Sequence, residues 1–119
     1  MPAKFAVVSL WAPDVPAAAH FYRDVLGLTL MPHHGERPHF DVDGVYLTLL
    51  KGCAAPAEDT ELDRFPLFAI AVEDLEERIA RLQKHGVPLP WGLETNGNSR
   101  WAMFHDPAGN LIELVQFTA

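Results

Sequence analysis

Apolar residues fall into the same order of patterns twice along the chain. Val7-Val8-Ser9-Leu10-Trp11-Ala12-Pro13-Asp14 lies over Leu67-Phe68-Ala69-Ile70-Ala71-Val72-Glu73-Asp74. Each is a strand-like run closed by an aspartate suited to cap a helix. Helical patterns follow, Pro16 to Leu26 and Leu75 to His85. Leu75, Ile79 and Leu82 recur at spacings of four and three with charges between them. Ala18, Phe21, Tyr22 and Val25 give the first helix its apolar face. Gly27 and Gly86 stop the two helices, and the extended segments Leu28-Thr29-Leu30 and Val87-Pro88-Leu89 come next.

The remainder of each unit also matches. Phe40 to Leu50 lies over His105 to Val115, and in both an Asp-x-x-Gly turn (Asp41 to Gly44, Asp106 to Gly109) separates two strands. The pattern predicts an α+β domain of two tandem βαβββ units, residues 1–50 and 65–119, joined by a linker over 51–64. Neither unit can close a core with one sheet and one helix. Pairing them, within the chain or across a dimer, predicts curved mixed sheets around a cavity with the helices outside. That makes the cavity the place to look for function.

Composition narrows the partners. The 119 residues carry 9 Lys+Arg against 16 Asp+Glu, a net charge of −7, with no basic stripe to displace phosphate counterions. Nucleic acid is therefore not an expected partner. Acidity is compatible with a cationic ligand, although solubility alone explains it. Cys53 is the one cysteine, which excludes an internal disulfide and a cysteine-based zinc cluster. No apolar run is long enough to span a membrane. The stretch from Lys4 through Ala19 has some signal-peptide character, but Asp14 interrupts it and it has a counterpart later in the chain. The expectation is a cytoplasmic protein.

Phe21-Tyr22-Arg23-Asp24-Val25-Leu26-Gly27-Leu28 and His105-Asp106-Pro107-Ala108-Gly109-Asn110-Leu111-Ile112-Glu113-Leu114 resemble the two signature stretches of the vicinal oxygen chelate superfamily. Glyoxalases, extradiol dioxygenases, fosfomycin-modifying enzymes and bleomycin resistance proteins belong to it. The resemblance spans essentially the whole chain and agrees with the repeat. It implies a fold more firmly than a function, because that fold serves many chemistries. It also implies four metal-ligand slots, one on the first and one on the last strand of each unit, which fall at Val7, Thr48, Leu67 and Glu113. Only Glu113 offers a carboxylate. Valine and leucine have no donor, and a threonine hydroxyl is a poor ligand for a metal that prefers imidazole or carboxylate. His20 and His85 read as helix positions, His105 as abutting a turn, and His33 and His34 as a loop or strand end; with His39 they are not expected to supply a replacement set. The expectation is no metal and no other cofactor.

Alternation puts Leu111, Glu113, Val115 and Phe117 on one face of the last strand, and the repeat turns that face to the cavity as it does Thr48. A carboxylate there either anchors a cationic or hydroxylated ligand, acts as a general base, or bonds to a neighbour as an inherited feature of the strand. Trp11 shares a strand face with Val7 and Ser9, and Tyr46 with Thr48 and Leu50, so both are expected to line the cavity. Trp101 joins them only if the hairpin register permits. Asn96 to Arg100 and Arg37 are expected at the rim, and the acidic run from Glu58 to Asp63 on a solvated surface.

The leading expectation is a metal-free homodimer with ligand-binding residues Glu113, Thr48, Trp11, Tyr46 and Trp101, holding a small aromatic or cationic molecule. The alternatives are a metal-dependent lyase or dioxygenase with displaced ligands, a metal-free enzyme with Glu113 as base, and an interaction module with an empty cavity.

Overall fold

The computed structural model describes residues 5–32, 37–53 and 67–118. In chain order these form β1 (Val7–Ala12), α1 (Val15–His20), a π-helical turn (Phe21–Val25), β2 (Thr29–Leu30), β3 (His39–Val42) and β4 (Val45–Lys51). The second unit follows with β5 (Phe68–Ala71), α2 (Leu75–Lys84), β6 (Leu93–Asn96), β7 (Ser99–His105) and β8 (Leu111–Phe117). The expected linker falls mostly outside the described residues, as do His33, His34 and the acidic run.

Each unit is a four-stranded mixed sheet with the same strand order, β1-β4-β3-β2 and β5-β8-β7-β6. The first strand runs parallel to the last, Ser9 opposite Thr48 and Ala69 opposite Glu113, and the remaining pairs are antiparallel. The aspartates at the ends of the two first runs cap the helices as the pattern predicts. Asp14 Oδ1 accepts from the Ala17 amide and Asp74 Oδ1 from the Glu77 amide, each at 3.1 Å.

The two-residue hairpin at Asp43-Gly44 has both residues at positive φ, 51° and 85°, the geometry that matches strand twist. Two expectations shift. Val87-Pro88-Leu89 joins no strand, because Pro88 and Pro90 remove ladder donors, and the pairing begins later at Leu93. The stretch Asn96 to Arg100, expected as rim, is the β6–β7 reversal and the start of β7, with Gly97 at φ 52° and Asn96 paired to Ser99.

The first helix changes geometry at Phe21, where the Leu26 amide donates to the Phe21 carbonyl five residues back. The wider turn lets adjacent aromatics serve both units. Phe21 lies 6.2 Å from the Phe104 ring, and Tyr22 lies 5.9 Å from Phe40. Tyr22 and Leu26 of the first unit join Leu75, Leu82, Phe104, Ile112 and Leu114 of the second in one buried core. What pairs inside the chain is therefore the helix side of each sheet. The opposite faces stay open, and the strands do not close into a barrel.

Candidate functional site

On the open face of the N-terminal sheet, alternation along β1 and β4 presents Val7, Ser9 and Trp11 beside Tyr46, Thr48 and Leu50. Trp11 is 50% exposed and Tyr46 42%, large values for aromatics on a sheet. Across β3 the register adds His39, opposite Thr48, and Asp41, opposite Tyr46. The His39 and Tyr46 rings meet edge to face at 5.5 Å. His39 Nδ1 sits 3.3 Å from the Arg37 carbonyl. The Thr48 hydroxyl donates to Ser9 Oγ at 2.9 Å.

The open face of the C-terminal sheet is differently furnished. Glu113 on β8 stands between Ala69 and Met103, while Trp101 stands between Val115 and Glu94. The register that the sequence left open thus turns Trp101 to the same side as Glu113. Burial pushes the Glu113 carboxyl above the usual carboxylate range, and the charge of Glu94 adds to the effect.

The residues predicted as a site therefore form two groups. Trp11, Tyr46 and Thr48 share one face, and Glu113 and Trp101 share the other. Among the described residues no hydrogen bond, ion pair or ring contact joins the groups.

Glu94, Met103, His39 and Gly52 were not singled out from the sequence as lining residues. Glu94 was legible only through the β6–β7 register, which the misplaced strand at Val87 obscured. Gly52 follows Leu50 by two positions on one strand face, a signal that was present in the alternation. Of the other histidines, His20 pairs with Asp24 at 2.7 Å on the exposed helix surface, His85 caps α2, and His105 packs on Trp91.

The four slots that the resemblance assigns to a metal do not fit one. Val7 and Leu67 are 48% and 45% exposed with no donor atom, and Thr48 is already bonded to Ser9. Among the described residues no group of three or more His, Cys, Asp or Glu side chains could hold a metal ion. An open groove of ≈ 590 Å³ lies elsewhere, between α2 and the approach to β6, lined by Ile79, Ala80, Val87, Leu89 and Leu93. Its lining is mostly apolar, with Glu76 and Gln83 its polar side chains, and it lacks the exposed aromatic rings of the open sheet faces, which are the better candidate. Among the described residues no helix is long and apolar enough to cross a membrane.

Behind the site lies a polar knot that links the units. Asp106 is buried, and its carboxylate accepts from the Ala108 amide (2.9 Å), the Asn110 amide (2.8 Å), Asn110 Nδ2 (2.9 Å) and the Tyr22 hydroxyl (2.7 Å). Asn110 Nδ2 also donates to the Trp11 carbonyl at 3.1 Å. The second unit's turn thereby fixes the end of the first unit's edge strand.

Comparison with known proteins agrees with this architecture. The family model described as Glyoxalase/Bleomycin resistance protein/Dioxygenase superfamily matches residues 4–114. A glyoxalase/dioxygenase structure from Nostoc punctiforme superposes with a TM-score of 0.84 at 21% identity, covering 98% of this chain and 92% of that one. A structure named Oxidase ChaP-H2 gives 0.77 at 26% identity, covering 98% and 94%. A lactoylglutathione lyase from Agrobacterium tumefaciens gives 0.74 at 24% identity, covering 98% and 95%.

Proposed function

Because the chain belongs to the glyoxalase/bleomycin resistance protein/dioxygenase superfamily, we propose that it binds a small aromatic or cationic molecule, without a resident divalent metal. The site would be a cup made from the open sheet faces of two copies. The observation that supports this most is the exposure of Trp11 and Tyr46 on one sheet face. An indole and a phenol left half in water on a pleated surface present flat apolar area that stacking on a planar ligand would cover. Glu113 and Trp101, on the complementary face, supply a carboxylate and a second ring, a combination that suits a cation. Thr48 and Ser9 add hydroxyls able to reorganise toward a ligand's polar edge.

A second reading is favoured by one observation, the raised pKa of Glu113, which would suit a general base in a metal-free enzyme. The metal-dependent alternative has no ligand set among the described residues. Titrating the protein with a panel of planar aromatic amines headed by ethidium distinguishes the readings. Saturable binding is expected, weakened by Trp11→Ala about 10-fold, as loss of one stacking ring generally costs about 1–3 kcal/mol. Binding unchanged in Trp11→Ala would sink the stacking reading. Protein purified without chelator is expected to hold under about a tenth of an equivalent of transition metal. A full equivalent, lost in Glu113→Ala, would overturn the metal-free part.

A further inference from the structure

Trp11 stands opposite Leu50 in the parallel pairing of β1 with β4, and Gly52 is the next residue along β4's line on that same face. The Gly52 amide donates to the Ala12 carbonyl at 3.1 Å, extending the ladder one bond beyond its last paired residues. This holds the glycine directly beneath the indole. A Cβ built at Gly52 would fall 2.7 Å from Trp11 Cε3 and 3.4 Å from both Cδ2 and Cζ3. That is well inside van der Waals contact with the body of the ring, where only a bare Cα fits.

The backbone of Gly52 does not require glycine, since its φ is not in the positive range that excludes side chains. The need for glycine is therefore imposed by the indole alone. From the other direction, Asn110 Nδ2 donates to the Trp11 carbonyl at 3.1 Å, which ties the strand beneath the ring to the second unit's turn. Trp11 is half exposed, so a displaced indole has solvent to move into.

We infer that Gly52 is the positioning residue for Trp11: its missing side chain is the seat on which the indole lies, with the outer ring face presented to a ligand. The ligand half of this statement rests on the stacking function proposed above. The seating half does not. A larger residue at 52 swings the indole off the sheet toward solvent and dismantles the platform while the ladder stays intact.

The test uses full-length protein carrying Trp91→Phe and Trp101→Phe, which leaves Trp11 as the one tryptophan. In this background Gly52→Ala is expected to shift Trp11 emission to the red. Acrylamide quenching should rise as the ring leaves its seat. Far-UV circular dichroism should be unchanged. Unchanged emission and quenching would overturn the seating.

Should Gly52→Ala fail to fold, Trp11→Ala/Gly52→Ala decides the matter. Folding restored by removing the indole supports the clash, and a double variant that is still unfolded overturns it. Ethidium binding then separates the two layers. If Gly52→Ala moves the ring yet Trp11→Ala does not alter affinity, the seat stands and the proposed function falls.

Discussion

Glu113 shows how one residue's surroundings turn a sequence position into a measurable pH dependence. Its carboxyl is partly buried and shares a sheet face with Glu94, so the folded protein favours the protonated form more than the unfolded chain does. The folded state then holds more protons at pH values between the ordinary carboxylate pKa and the raised one. Stability accordingly falls as pH rises through that window, and the penalty is complete above it. Glu113→Gln removes the charge without changing shape. It is expected to raise the urea midpoint at pH 7, with the difference from wild type vanishing below the ordinary carboxylate range. A cationic ligand reverses the sign of the benefit. Ethidium affinity should strengthen as pH rises through the same window in wild type and stay flat in Glu113→Gln. A wild-type affinity that is flat across the window would separate Glu113 from the ligand. The side of the strand on which Glu113 lies was legible from alternation alone. Its neighbour Glu94 was not, because two prolines displaced the strand that carries it.

Between elements, the units are held together by polar contacts as specific as the apolar core. Arg78 Nη1 donates to the Leu26 carbonyl at 2.6 Å and Arg81 Nη2 to the Asp24 carbonyl at 3.0 Å, so α2 supplies cations to the carbonyl end of the first helical segment. The Asp106 turn reaches the π-helical turn through Tyr22. Burial and the Asp106 carboxylate push the Tyr22 hydroxyl far above the usual phenol range. A spectrophotometric titration is therefore expected to show the Tyr22 phenol ionising only on unfolding. Stability should fall as pH rises above the unfolded phenol pKa, because the unfolded chain alone gives up that proton. Tyr22→Phe deprives a buried carboxylate of one of its four donors and is expected to cost about 1–3 kcal/mol, read from denaturant midpoints at neutral pH. A loss within error of zero would mean that water replaces the hydroxyl there. The Asp-x-x-Gly pattern identified the turn, and Gly109 sits at φ 91° within it. Nothing in local pattern could announce that Asp106 is bonded to a residue so distant in the chain.

At the scale of the whole molecule, the duplicated pattern foretold two βαβββ units, but neither their strand order nor which faces they share. Apolar periodicity marks a buried helix stripe and a buried sheet face without saying what buries them. Here the helix sides merge into one core, and that leaves Val7, Trp11, Tyr46 and Leu67 exposed on faces that carry different halves of the predicted site. A second copy, placed so that its C-terminal sheet meets this chain's N-terminal sheet, would cover both faces and complete two equivalent cups by two-fold symmetry. A dimer is accordingly expected by light scattering at micromolar concentration, but oligomeric state alone does not say how a cup is composed. Complementation does. Trp11→Ala and Glu113→Ala chains each weaken every cup in their own homodimers, so that neither homodimer keeps a site of wild-type affinity. When they are mixed and re-equilibrated, half of the dimers are mixed, and each mixed dimer has one cup free of both substitutions and one with both. Ethidium binding is then expected to return to about a quarter of the wild-type capacity, following from random two-fold reassociation. If each cup is built from a single chain, every cup in the mixture still carries one substitution and no capacity returns. Recovery of binding on mixing two defective chains is thus a signature that only a shared cup produces.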